Sequence, residues 1–485
     1  MPENRQTTLA ASLLAALAMA GCAALPGSQP SSAPIVDLAL PAMPAPQDAV
    51  DAWPAEDWWT AYADPQLDAL IARALADSPT LAGANARMAQ ASAALGIARG
   101  NAAPQVNADL SVTRGRQSAN YLLPPPPLGP GGEYTNIGNA NINLSYDLDF
   151  WGRNAALIAA AGDEANASAF DFAAARLALT TNIVRAYAQL AAQYELLDIA
   201  EATLKQREQI ADLTRQRRAA GLDTNVEVRQ AETGTASLAA ERVQLENAIA
   251  VSRLQLVALV GAMPDAAGGI ARPKLKTPPF NLPAKLPLDL LARRPEIAAQ
   301  RARIGAAHEE IRAAKTLFYP NINLTALIGF QSIGVGKLFE ASSQTSSLGP
   351  AIHLPIFDGG RLRANYAGRV ADLDAAVAQY NQSVLAAAQD AIEQLTRCSN
   401  LEREGAATSA ALDHASEAYR LALLRYREGL SPYLTVLAVE NQLLTQRRAT
   451  ADLNARRLDL QITLVRALGG GFNAAPSDQP SEKQP

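Results

Sequence analysis

The 485-residue chain has only two cysteines and three histidines. His308, His353 and His414 stand apart, without the spacing of metal ligands. No phosphate-binding loop, dinucleotide fingerprint or nucleophile elbow occurs. Acid pairs such as Glu309 and Glu310 fall on helical stretches, where a solvated face is the ordinary reading. No catalytic residue, metal or cofactor is therefore expected, and the chain does not read as an enzyme. A basic surplus is missing too: the net charge is −5, which disfavours nucleic acid as a partner. Aromatics reach only 5% while apolar residues make up 49%, mostly alanine and leucine, a composition that favours helices. Past the first 21 residues there is no run of about 18 apolar residues, so no transmembrane helix is expected.

The first residues read as a processed signal. Arg5 precedes an apolar stretch from Leu9 to Ala20, followed by Met19-Ala20-Gly21-Cys22, which resembles the lipobox of bacterial lipoproteins. Cys22 would then be the acylated N-terminal residue. Met19 stands where leucine is usual, and Ala23 brings no aspartate to retain the protein in the inner membrane. With Cys22 acylated, Cys398 has no disulfide partner; it falls in a helical apolar stripe and reads as a small core residue.

The remainder is a duplication. Pro79 and Pro295, then Pro104 and Pro320, are offset by 216 positions; Gly152 and Gly360, Gly221 and Gly429, and Gly261 and Gly469 are offset by 208. Each copy begins with a helix (near 80–101 and 296–316) and continues into alternating segments. Ile322, Leu324, Ala326 and Ile328 alternate with polar neighbours, as do Ile142, Leu144, Tyr146 and Leu148, the period of a half-buried strand. Two such segments joined by a loop make one hairpin per copy. Proline is then absent from Arg153 to Gly221 and from Arg361 to Gly429. These stretches predict helices of about 66 residues, each ~100 Å long at 1.5 Å per residue. Val370, Val377, Val384, Ala391 and Cys398, with Tyr366, Leu373, Tyr380 and Ala387, form a coiled-coil seam. Return helices of about 40 residues end at Gly261 and Gly469.

The expected organisation is a signal peptide over 1–21, a lipid-anchored segment over 22–78 and a first repeat over 79–261. A proline-rich crossover over 262–294, a second repeat over 295–469 and a polar, disordered tail over 470–485 follow. Four strands cannot close a membrane barrel, so partner chains are required, three being favoured.

Several local motifs add to this: Trp58-Trp59-Thr60 with Asp64-Pro65-Gln66-Leu67, and Leu290 to Ile297 around Arg293-Arg294-Pro295. Phe318-Tyr319-Pro320, Pro355 to Arg361, and Arg425-Tyr426-Arg427-Glu428-Gly429 with Tyr433-Leu434 complete the set. Together they resemble the TolC-type outer-membrane factors, and among them the NodT-type efflux lipoproteins. The resemblance implies a mainly α fold with a membrane β-barrel: a homotrimer with a twelve-stranded barrel in outer-membrane lipid and a twelve-helix tunnel in the periplasm. It implies a passive exit duct served by a periplasmic adaptor and a proton-driven inner-membrane transporter. Adaptor docking is expected at Arg218, Gly221, Leu222, Asn225 and Val226, and at Arg425, Gly429, Leu430, Tyr433 and Leu434. Both glycines are also explained as turn formers alone. Asp212, Asp223, Leu423 and Glu428 are gate candidates, Leu423 standing where relatives carry an aspartate; for each carboxylate a solvated face is the rival reading. The alternatives are the exit duct of a type I protein-secretion machine and a lipid-tethered periplasmic scaffold. Two strand pairs at equivalent points disfavour the scaffold.

Overall fold

The computed structural model describes residues 29–35, 54–116, 118–120, 126–276, 278 and 293–473. The signal segment with Cys22, most of the crossover and the tail beyond residue 473 lie outside the described residues. After a 3-10 turn at Trp58–Tyr62 come α1 (Pro65–Asp77), α2 (Pro79–Asn101), β1 (Gln105–Arg116), β2 (Tyr134–Leu148), α3 (Arg153–Ala219) and α4 (Asn225–Leu259). The second series is α5 (Pro295–Thr316), β3 (Asn321–Ile333), β4 (Gln344–His353), α6 (Arg361–Arg427) and α7 (Tyr433–Ala467). Both long helices have 67 residues and both return helices 35. The return helices fall short of the forty expected because the turn and the closing glycine take up the difference. Among the described residues no helix is long and apolar enough to cross a membrane.

Two compact units emerge. The first, drawn from residues 1–34, 88–168 and 300–380, holds the sheet. Its four strands lie in the order β1-β2-β3-β4, every pair antiparallel. Register decides its two faces, since directly paired residues point the same way. Val106, Leu110 and Val112 align with Leu144, Ala140 and Gly138, then with Ala326, Phe330 and Ser332. Leu348 and Ile352 extend this face on β4. The opposite face carries Asn107, Asp109 and Ser111 against Asn143, Asn141 and Asn139, with the Asn143 amide donating to Asp109 at 2.6 Å. Leu338 and Phe339 pack on this face at Gly138 and Phe330, but Leu110 is 73% exposed and Leu348 76%, so most of the apolar face has no cover in the single protomer. At both strand-to-helix junctions an aspartate caps the long helix. Asp149 accepts from the amides of Asn154 and Ala155, and Asp358 from those of Gly360 and Leu362. Below the sheet Ile304 of α5 packs with Leu373 and Val377 of α6.

The second unit comprises 35–87, 169–299 and 381–485. Its largest core joins Trp58, Tyr62, Leu67 and Ile71 to Ile183, Tyr187, Leu256, Val260 and Ile462. Asp64 caps α1 through the Gln66 amide at 3.0 Å, accepts the Tyr187 hydroxyl at 2.8 Å and accepts the Lys274 amide at 2.7 Å. Arg294 is buried, donating to the Ala467 carbonyl at 2.7 Å and to Asp390 at 3.1 Å. These two sequence motifs are therefore joints of the fold, each satisfying a helix end or a loop from a distant part of the chain.

Candidate functional site

All fourteen candidate tip residues lie in the second unit, around the two reversals α3–α4 and α6–α7. Both long helices end in the same way. The Gly221 amide donates to the Arg218 carbonyl and the Leu222 amide to that of Arg217; Gly429 and Leu430 repeat this with Tyr426 and Arg425. This is a Schellman closure, and Gly221 (φ 77°) and Gly429 (φ 76°) occupy its left-handed position, where a side chain would be strained. The departing helices are capped differently. Thr224 and Glu227 form a reciprocal capping box at α4, whereas Pro432 offers α7 no side-chain cap.

The reversals leave four apolar side chains in solvent: Leu222 and Val226 in one copy, Leu430 and Leu434 in the other, each at least 60% exposed. They are equivalent residues at the 208-position offset. Arg218, Asn225 and Arg425 are exposed beside them. Tyr433, by contrast, is 3% exposed and belongs to the core beneath the turn, with Ile210, Ala231, Tyr419, Tyr426 and Val436. Leu423 is half-buried against the same core. An open groove of about 660 Å³ runs beside the first turn, bounded by Asn225, Val226, Arg229 and Thr233 of α4 and by Leu437 and Asn441 of α7.

The carboxylates separate into two kinds. Asp212 is exposed and ion-paired with Arg215 on its own helix, and Glu428 is exposed. Asp223 is enclosed and ties the two reversals together. It accepts from Arg217 Nε at 3.0 Å and from the Tyr426 hydroxyl at 2.6 Å. Arg217 also donates to the Tyr426 carbonyl at 3.1 Å, and its guanidinium lies 4.6 Å from that ring's centre. Tyr426 is wholly buried, and its hydroxyl is 3.0 Å from that of Thr214. Burial, then the Asp223 bond, push the phenol up to about 12, so it remains a donor. Neither Arg217 nor Tyr426 is among the site candidates from sequence, although Tyr426 stands in the Arg425–Gly429 motif. Their signal is faint: each lies within one helical turn of its glycine, where basic and aromatic residues are commonplace.

A second buried polar group lies farther from the tip. Arg207 of α3 donates to Glu440 at 3.1 Å, to the Gly234 carbonyl at 2.9 Å and to Asn441 at 2.8 Å. Its side chain is 9% exposed and that of Glu440 3%.

The sequence profile described as "Outer membrane efflux protein" matches residues 70–262 and 286–470. Fusaric acid resistance protein FusA of Burkholderia cepacia is 41% identical over 370 residues, covering 75% of this chain and 69% of its own. Multidrug resistance outer membrane protein MdtP of Shigella flexneri is 33% identical over 437 residues, 88% of this chain and 89% of its own. The solved structure of the outer membrane protein VceC from Vibrio cholerae is similar with a TM-score of 0.81 at 35% identity, covering 87% of this chain and all of that one (100%).

Proposed function

Because this chain belongs to the outer membrane efflux protein family, we propose that it is a passive exit duct for small organic molecules, carrying out no reaction itself. It is an outer-membrane channel subunit extending into the periplasm, mainly helical with a β-barrel portion. Members of the family are trimers that work with an adaptor and an inner-membrane pump. In this role the protein would work with a proton-driven pump, carry an acyl chain on Cys22 and dock the adaptor at the paired reversals.

One observation carries it: a four-stranded sheet, apolar on one face and polar on the other, with β1 and β4 unpaired along their outer edges among the described residues. Open edges in lipid would leave main-chain groups without hydrogen bonds, so closure by copies is demanded. Three copies give twelve strands, lipid outside and asparagine-rich lumen inside. At the two helix reversals, Leu222, Val226, Leu430 and Leu434 offer two similar apolar knobs per protomer, suited to a repeated helical partner. Tyr433 supports that surface from beneath. Asp212 and Glu428 are the exposed carboxylates that could present charge to a pore, while Leu423 and Asp223 would act by holding the tip closed. A scaffold would have no use for an apolar sheet face left largely uncovered.

The test is single-channel recording of the full-length trimer in planar lipid bilayers. Discrete small openings are expected, with cation preference altered by Asp212→Asn or Glu428→Gln. Folded trimer that never inserts would sink the channel reading.

A further inference from the structure

Residues 29–35, without regular secondary structure, lie against α6, and three of their hydrogen bonds converge on one carboxylate. Asp374 Oδ1 accepts the amides of Ser31 and Ser32, both at 2.9 Å, and Oδ2 accepts the Ser31 hydroxyl at 2.8 Å. Three donors hold this carboxyl below the ordinary aspartate range, the Ser31 hydroxyl contributing most. Farther on, the Ile35 amide donates to Asn381 Oδ1 at 2.8 Å. The two contacts fix a direction. Four residues can reach at most ~13 Å, enough for the ~10 Å that the seven positions from Asp374 to Asn381 rise along the helix. The segment therefore runs parallel to α6, and going back from Ser31 leads towards Arg361, the junction with the sheet.

Lengths then become informative. Asp374 lies thirteen residues into α6, hence ~20 Å from the helix start. Cys22 stands nine positions before Ser31, a reach of at most ~30 Å. An acyl chain on Cys22 can thus return to the sheet, where the membrane is, with about 10 Å to spare. Without the Asp374 contact the slack would lengthen. We propose that Asp374 is the mooring point of the lipid-bearing N-terminal segment, a positioning residue that holds the anchor at the membrane end of its own protomer. The idea rests on acylation of Cys22, part of the function proposed above.

The test uses the full-length protein in outer-membrane vesicles, with hydrogen exchange read over residues 29–35. Asp374→Ala removes all three acceptor bonds and should speed exchange at Ser31 and Ser32 by roughly 10- to 100-fold. Asp374→Asn keeps an oxygen for both amides and should retain most of the protection. The Ala variant should also lower the yield of outer-membrane trimer. That loss should vanish when Cys22 is replaced and a non-lipoprotein signal directs export. An equal loss in both backgrounds would make Asp374 merely structural and overturn the proposal. So would unchanged exchange in the Ala variant. The intact mass of the purified chain reports acylation separately: absence of the lipid refutes the anchor, whatever the exchange at Ser31 shows.

Discussion

Tyr426 donates to Asp223 across a separation of 203 residues, and Arg217 donates to the same carboxylate from six residues away. The carboxylate thus holds three things: its own turn, the preceding helix end and the other copy's reversal. Tyr426→Phe keeps the ring in the core but withdraws the donor. A hydrogen bond to a charged group contributes about 1.5–3 kcal/mol, so the tip should loosen while the fold persists. The expected result is larger or more frequent openings in bilayer recordings, with the trimer's melting temperature changed little. Alkaline pH should do the same. Tyrosine ionises near ~10 when unfolded, and here its value is pushed up to about 12. The stabilisation from the neutral phenol is complete below the lower value and is lost as pH rises towards the upper one. Openings should increase in that window, and less so in the Phe variant. The glycines of both reversals are legible in sequence, since only a left-handed turn needs glycine there. Asp223 is visible as an acid near a turn, but its enclosure is not, because the tyrosine that encloses it belongs to the other copy.

Helices show which parts of a duplication are free to diverge. α3 and α6 keep equal length, as do α4 and α7, because the spacing of proline-free stretches, closing glycines and apolar seams fixes them. That much is written in the sequence. The contacts between helices are not, and Arg207 is the clearest case. Its counterpart in the second copy is Ala415, a buried core residue. Gly234 gives it room, since a side chain there would begin 3.3 Å from the guanidinium. The group joins α3, α4 and α7, but Glu440 Oε1 has no hydrogen-bond partner. Burial raises the Glu440 carboxyl above its ordinary value, the arginine opposing this only in part. Stability from this group therefore falls as pH rises from the unfolded carboxylate value towards the folded one. Arg207→Met would leave the buried acid with only the field of Arg447 to offset its burial and should cost about 3–5 kcal/mol in denaturant unfolding. Adding Glu440→Leu should recover most of that loss, because two desolvated charges are replaced by packing. A double variant as unstable as the single one would show that the group sustains the helix junction through its hydrogen bonds rather than tolerating a charge.

For the whole molecule the sheet decides what one copy can do alone. Alternation in β2 and β3 makes a hairpin legible in each copy, but β4 is not read in full, because Gln344–Gly349 is polar and glycine-containing and looks like loop. The β2–β3 pairing, which joins the copies, has no short turn to announce it; only the folded chain brings Ile142 opposite Ile328. What the pairing creates is a surface with one apolar and one polar side, and a neighbouring pair on β1 separates them. Leu110 points to the apolar side and is 73% exposed; Ser111, next to it, points to the polar side and receives the Asn139 amide at 3.4 Å. An arginine at position 110 would face hydrocarbon, at a cost of roughly 2–4 kcal/mol per copy near the bilayer middle. Three copies multiply that cost, so Leu110→Arg should strongly reduce the trimer recovered from the outer membrane. Ser111→Arg forfeits one weak hydrogen bond but places three guanidinium groups in a water-filled lumen. It should assemble normally and shift ion selectivity towards anions. The opposite pattern, with Leu110→Arg assembling and Ser111→Arg failing, would mean that the sheet faces the other way and that the asparagines, not the leucines, meet the lipid.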